Sequence, residues 1–255
     1  MDYALVVKGL SKQYYLYHAD RPWTLHETFV RGFHRLKPVD RFWALRDISF
    51  SVAPGRVVGV VGSNGSGKST LLRLIAGVGR ADSGHIQVKQ HIGALLDLGT
   101  GFHADLTGRE NVFINGVIGG LTRREVAQQF DSIVAFAELE SFIDNPIRTY
   151  SSGMQMRLGF AIAIHAASEM LLIDEVLSVG DYSFQQKCLD RITQFKAGGR
   201  TIIIVSHDTK FVREFCDEAI WLNAGRLAAC GPADTVVAKY LSEKDGKIPQ
   251  YGAQR

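Results

Sequence analysis

Residues 62–69 read GSNGSGKS and follow the apolar run VVGVV at 57–61. The spacing fits G-x-x-x-x-G-K-[ST] between a strand and a helix, a loop built to hold phosphate. Glycines let the backbone wrap so that successive N–H groups face phosphate oxygens. Within Gly62, Ser63, Asn64, Gly65, Ser66, Gly67, Lys68, Ser69 and Thr70, three side chains have separate tasks. Lys68 reaches the β- and γ-phosphates, the Ser69 hydroxyl serves Mg²⁺, and Thr70 lies near the α-phosphate. The helix start adds partial positive charge, worth about 0.3–1 kcal/mol per nearby anionic group.

A second set of reactive groups ends the apolar run MLLIDE. Two adjacent carboxylates at a buried strand end are costly unless a metal or a donor compensates them. Asp174 suits the Mg²⁺ shell, and Glu175 suits orienting or deprotonating an attacking water. In YSSGMQMRLGFAIAIH (150–165) a serine and a glycine open an apolar helix. Ser151, Ser152 and Gly153 there offer a hydroxyl and exposed N–H groups, a second anion site.

These groups need rigid elements behind them. Residues 3–10 and 44–53 read as strands, and VVGVV, MLLIDE and TIIIVSHD as fully buried ones. STLLRLIAG (69–77) reads as a helix closed by Gly77, and 107–149 as mainly helical. Asp181 caps a helix through FQQKCLDRITQFKA, stopped by Gly198 and Gly199. AIWLNAG and RLAACG resemble a hairpin, and DTVVAKYLSE a last helix before a polar tail from Lys244. Apolar strands alternating with helices predict an α/β fold, a parallel sheet covered on both faces. The helical run at 107–165 interrupts that alternation as an inserted subdomain.

Composition narrows the partners. The chain has 255 residues, a net charge of +3 and no apolar run of the roughly 20 residues that span a bilayer. The charge is too weak to imply nucleic acid. Cys188, Cys216 and Cys230 are too scattered for a metal knuckle and read as reduced, buried thiols. Any membrane part must come from another chain.

The order of landmarks carries a family resemblance over about residues 1–240. YSSGM resembles the ABC-ATPase signature, usually LSGGQ, with Ser151, Gly153 and Arg157 matching and Tyr150, Ser152 and Met154 departing. SVGD (178–181) stands in the place of the D-loop, with Asp181 near a dimer seam. His207 in VSHD matches the family's switch histidine on the γ-phosphate. Tyr14 matches the aromatic that stacks on adenine, with Tyr15 and Trp43 as rivals. The resemblance implies a P-loop core at about 1–95 and 166–243 with a small N-terminal antiparallel β subdomain. It also implies a helical subdomain at about 105–165, within one domain at 1–243. The ligands implied are ATP and Mg²⁺. The partner implied is a second copy, each ATP lying between the Lys68 loop of one and the Ser151 turn of the other.

LLDLGTGFHADLTGREN (95–111), YSSGMQMRLGF, DEVLSVGD and FQQKC resemble the nucleotide-binding subunits of polysaccharide exporters for O-antigen, capsule and wall teichoic acid. That implies two copies of a polytopic permease, a lipid-linked glycan handled indirectly, and a place on the cytoplasmic face of the bacterial inner membrane. The family's Q-loop glutamine is missing from this stretch. Asp97 is the nearest polar substitute, able to bind Mg²⁺ or its waters but not to donate a hydrogen bond, or else simply a turn cap. The insertion at 18–43, with Arg31, Arg35 and Lys37, suits either a membrane interface or packing on the N-terminal sheet. No C-terminal carbohydrate-binding domain is expected. A soluble ABC ATPase of DNA maintenance would need a long coiled coil, a translation factor two cassettes, and a G protein an N-K-x-D reader.

Overall fold

The structure, a computed structural model, describes residues 3–16, 39–96, 101–166, 168–174 and 181–246. Strands β1 (Leu5–Leu16) and β2 (Asp40–Val52) pair antiparallel from Leu5↔Val52 to Leu16↔Asp40. Leu5, Val7, Leu10, Leu45, Ile48 and Val52 turn inward from them and are fully buried. Both strands run further than their apolar residues suggest, and β2 begins inside the segment read as an insertion. The pairing extends past the core because Tyr14 and Phe42 hold each other across the ladder, 5.8 Å apart and 30° from parallel.

β3 (Val57–Val61) is buried throughout and feeds the glycine loop into helix α1 (Lys68–Ile75). Leu71, Leu72 and Ile75 bury the inner side of α1. Two short strands, β4 (Ser83–Val88) and β5 (Ile92–Leu95), follow. Helices α2 (Gly108–Ile118) and α3 (Arg123–Ala137) each begin with a reciprocal capping box, Thr107 with Glu110 and Thr122 with Glu125. A 3₁₀ turn at Ile147–Thr149 leads into α4 (Ser152–His165). The remainder is β6 (Met170–Asp174), α5 (Tyr182–Ala197), β7 (Thr201–Val205), α6 (Thr209–Phe215), β8 (Glu218–Asn223), β9 (Arg226–Pro232) and α7 (Ala233–Gly246). Asp181 and Asp208 cap α5 and α6 through their carboxylates.

The strands form a three-stranded sheet ordered β2-β1-β4 and a six-stranded sheet ordered β5-β6-β7-β3-β8-β9. All neighbours in the larger sheet are parallel except the β8–β9 hairpin. One core joins the smaller sheet, α1 and one face of the larger sheet through Val58, Val60, Leu72, Ile203 and Ile220. The opposite face packs Val57, Phe160, Phe184, Ile192, Val212 and Val236. A third core lies within α2, α3 and α4, around Val112, Val126, Ile133 and Leu158. This is the expected α/β architecture, a smaller antiparallel sheet and a helical unit around a mainly parallel sheet.

Two of the three thiols, Cys188 and Cys216, are buried, and burial pushes both up to about 12. Cys230 departs from the expectation and is exposed, because it sits on β9 at the sheet edge.

Candidate functional site

Parallel strands bring their carboxyl ends to one edge, and β3, β7 and β6 are consecutive neighbours there. Past β3 the backbone takes φ of 152° at Gly62, 75° at Gly65 and 103° at Gly67, the last being the N-cap of α1. A Cβ at Gly62 would strike the Leu222 carbonyl oxygen, and one at Gly67 the Ala44 carbonyl oxygen. The loop is therefore clamped from two sides by neighbouring strands. The β8–β9 turn completes the clamp: Gly225 donates its N–H to the Ser66 carbonyl at 3.1 Å and accepts from Arg46 N–H at 2.7 Å.

Lys68 is 6% exposed and folds back across the loop, its Nζ donating to the Gly62 carbonyl at 2.9 Å and the Ser63 carbonyl at 3.0 Å. The Ser66 Oγ is buried without a hydrogen-bond partner. A cavity of about 350 Å³ opens above them, bordered by Tyr14, Phe42, Asn64, Ser69, Thr70 and His207. A neighbouring cavity of about 430 Å³ shares Asn64 and His207 and continues to Trp221 and Tyr240.

Among the three aromatic candidates, Tyr14 lines the Lys68 cavity. Tyr15 and Trp43 occupy adjacent ladder positions, opposite Arg41 and Gln13, so their side chains leave by the other face. Phe42 stands beside Tyr14 and escaped the sequence reading; its only signal was membership of an alternating run. Asp174 ends β6 beside Val205, half-buried at the same strand edge. His207 is exposed, just past β7 and before the cap of α6. Glu175, Asp97, Ser178, Val179 and Gly180 lie outside the described residues, as do Arg31, Arg35 and Lys37. Among the described residues, no group of three or more His, Cys, Asp or Glu is arranged to hold a metal ion.

Ser151 caps α4, its hydroxyl accepting from Met154 N–H at 3.2 Å. Ser151 and Ser152 are exposed, and a Cβ at Gly153 would meet only the Ser151 Oγ, at 3.8 Å. None of the three lines the Lys68 cavity of its own chain. The helix starts differ in charge. Those of α2, α3 and α7 carry Glu110, Glu125 and Asp234 in the first turn, while α5 and α6 start on Asp181 and Asp208. Only α1 and α4, among the described helices, begin without a carboxylate in either place. No carboxylate of the cap or first turn offsets their positive ends.

A groove of about 410 Å³ is lined by Leu96, Phe102, Ile118, Ile162 and Ala166. Asn111, fully buried, fixes the turn before α2 by donating to the carbonyls of His103, Leu106 and Thr107 and accepting from His103 N–H at 2.8 Å. Among the described residues no helix is long and apolar enough to cross a membrane.

These features have relatives. A family model described as ABC transporter matches residues 45–178. The O-antigen export system ATP-binding protein RfbB of Klebsiella pneumoniae is 42% identical over 242 residues, 94% of this chain and 98% of that protein. A protein of the same description from Myxococcus xanthus is 48% identical over 212 residues, 83% of this chain and 48% of its own length. The teichoic acids export ATP-binding protein TagH of Bacillus anthracis is 40% identical over 241 residues, 94% of this chain and 43% of that protein. The chain thus spans about half the length of these last two relatives or less. A solved ATP-binding subunit of an ABC transporter superposes with a TM-score of 0.74 at 21% identity, covering 96% of this chain and 98% of that one. A dimeric ATP-binding cassette bound to ADP and Pi superposes at 0.71 with 20% identity, covering 90% and 98%. A glycine loop folded around a buried lysine, an anion-ready turn on a separate helix and these likenesses converge: the chain belongs to the ABC transporter family.

Proposed function

We propose that this chain is the ATP-hydrolysing subunit of an exporter that moves lipid-linked polysaccharide, O-antigen in particular, across the cytoplasmic membrane. The observation that carries the reading is the pair of helix starts without carboxylates. One, at α1, begins with Lys68; the other, at α4, does not line the Lys68 cavity. A single triphosphate can meet both only if a second copy supplies the α4 turn. ATP would then join a head-to-tail homodimer at two composite sites.

In this reading Tyr14 stacks on the base, and the loop from Gly62 to Thr70 wraps the phosphates, with Lys68 neutralising the outer ones. Ser151, Ser152 and Gly153 of the other copy close on the γ-phosphate, and His207 hydrogen-bonds it. The Ser69 hydroxyl and Asp174 carboxylate are hard oxygen donors, which suit Mg²⁺. When bound, Mg²⁺ neutralises charge on the β- and γ-phosphate oxygens. Asp97 would supply the same ion with a further carboxylate oxygen. Glu175 follows Asp174 and takes the proton of the attacking water.

The core at about 1–95 and 166–243 binds nucleotide, and the helical subdomain at about 105–165 presents the second anion turn. Two copies of a polytopic permease dock on the groove by Ile118, holding the subunit at the cytoplasmic face of the inner membrane. The names of the Klebsiella, Myxococcus and Bacillus relatives support an export role.

Glu175→Gln is expected to retain ATP binding and lower turnover by roughly 10²–10⁴. In Mg-ATP the same variant is expected to sediment as a dimer. Hydrolysis at the wild-type rate would remove Glu175 from the reaction, and a strictly single species would remove the composite site. In cells, loss of the chain should leave lipid-linked glycan on the cytoplasmic side of the membrane; continued display of that glycan outside would refute the export role.

A further inference from the structure

The run FQQKC (184–188) lies on α5, outside the cavity lined by Lys68. Its lysine reaches from α5 to the C-terminus of α3. Lys187 Nζ donates to the Phe136 carbonyl at 3.0 Å, the Ala135 carbonyl at 3.3 Å and a Glu138 carboxylate oxygen at 3.2 Å. It also sits 4.9 Å from the centre of the Phe136 ring. The last carbonyls of a helix lack internal partners, so this ammonium serves them as well as the carboxylate.

The other Glu138 oxygen accepts from Arg157 Nη1 at 2.7 Å, and Arg157 Nη2 donates to Asp181 at 2.7 Å. The guanidinium lies 4.9 Å from the Phe184 ring centre. Four side chains thus connect the end of α3, the body of α4 and the start of α5. Glu138 closes α3 with φ 58° and ψ 46°. That left-handed conformation favours glycine, so a glutamate there is strained and its side chain must repay the strain elsewhere.

We propose that Lys187 and Glu138 are positioning residues, which fix the anion turn at Ser151 relative to Asp181 through Arg157. Arg157 lies six residues beyond Ser151 on one rigid helix, about 9 Å of rise. Holding Arg157 therefore sets both the depth and the rotation of the Ser151 turn. Asp181 closes the SVGD segment and caps α5, accepting from Phe184 N–H at 2.9 Å. A push on either end of this clamp is felt at the other. An isolated exposed ion pair contributes little. This one differs because each charge has two or more partners and both cations lie on aromatic rings.

The inference rests on the two-copy reading above, and its test separates the two. The full chain is placed in a Glu175→Gln background, and three quantities are measured: affinity of the single copy for a fluorescent ATP analogue, the dimer dissociation constant in Mg-ATP, and melting temperature. Lys187→Met keeps the stem over Phe136 but removes the donors. Glu138→Gly removes the carboxylate while relieving the backbone. Both are expected to weaken the dimer on the order of tenfold, with nucleotide affinity unchanged. Glu138→Gly should melt no lower than its parent, Lys187→Arg should restore the dimer, and the double variant should lose less than the sum of the singles. Dimers of parental strength from both variants would overturn the clamp alone. If Lys187→Met only unfolds the chain, Glu138→Gly decides. Failure of the parent itself to dimerise would overturn the two-copy reading and the clamp with it.

Discussion

Gly65 and Gly67 both have positive φ, yet their surroundings differ. A Cβ at Gly65 meets nothing within 4 Å, whereas one at Gly67 would run into the Ala44 carbonyl oxygen and the Leu45 side chain. Gly65→Ala is expected to be destabilised only by the left-handed backbone, about 1–2 kcal/mol. Gly67→Ala adds the clash with fixed backbone and is expected to displace the start of α1 and abolish ATP binding. Comparing melting temperatures and nucleotide affinity of the two variants checks this, and equal losses would contradict it. At this scale the sequence spoke clearly where chemistry restricts the residue type. Glycines, Lys68 and Ser69 could be read from spacing alone. The choice of Tyr14 over Tyr15 and Trp43 needed the β1–β2 register, because all three residues are aromatic and only the pleat distinguishes their faces. Glu138 was unreadable, since a charged residue between helices looks like any solvated surface position.

Long capped helices and unbroken apolar runs were legible, and several short elements with neither feature were not. Asp181 before α5 and the glycines after it were read correctly, because local hydrogen bonding sets both ends. The strands β4 and β5 and the helix α6 went unread. Each is seven residues or fewer and is stabilised by distant neighbours, β4 by β1 and β5 by β6, rather than by its own periodicity. Two capping boxes start helices of the helical unit, beside its own apolar core. Hydrogen bonds from the Thr107 and Thr122 backbones hold the Glu110 and Glu125 carboxyls below their ordinary value of 4.5. A carboxyl depressed in the folded state stabilises it above the unfolded value and loses that contribution as pH falls through the folded value. Helix content of the full chain should therefore begin to fall below about pH 4.5, reported by circular dichroism. Thr122→Ala removes one cap and is expected to cost about 1 kcal/mol. If that variant has the parental melting temperature and acid midpoint, the cap contributes nothing.

For the whole molecule, α/β architecture followed from alternation, but the proposed sharing of the phosphate site between two copies did not. Lys68 opens α1 and Ser151 caps α4, and nothing in their spacing distinguishes one copy from two. The docking surface proposed for the permease was equally hidden. Ile114, Val117 and Ile118 are exposed on α2, Ile118 by 76%, beside the groove formed with Leu96 and Phe102. These exposed apolar side chains suit the proposed contact with another protein. Ile118→Asp is expected to leave folding and ATP binding intact while abolishing co-purification with the permease. Retained co-purification would move the docking surface elsewhere.

The β8–β9 turn has one more effect. Through Gly225 it ties β2, which carries Phe42, to the Ser66 backbone. Tyr14, which Phe42 faces across the ladder, and the glycine loop are therefore mounted on one frame. With ATP bound as proposed, the site would work as a gauge of length: a full nucleoside triphosphate would span it end to end, whereas adenosine alone or pyrophosphate alone would touch only one jaw.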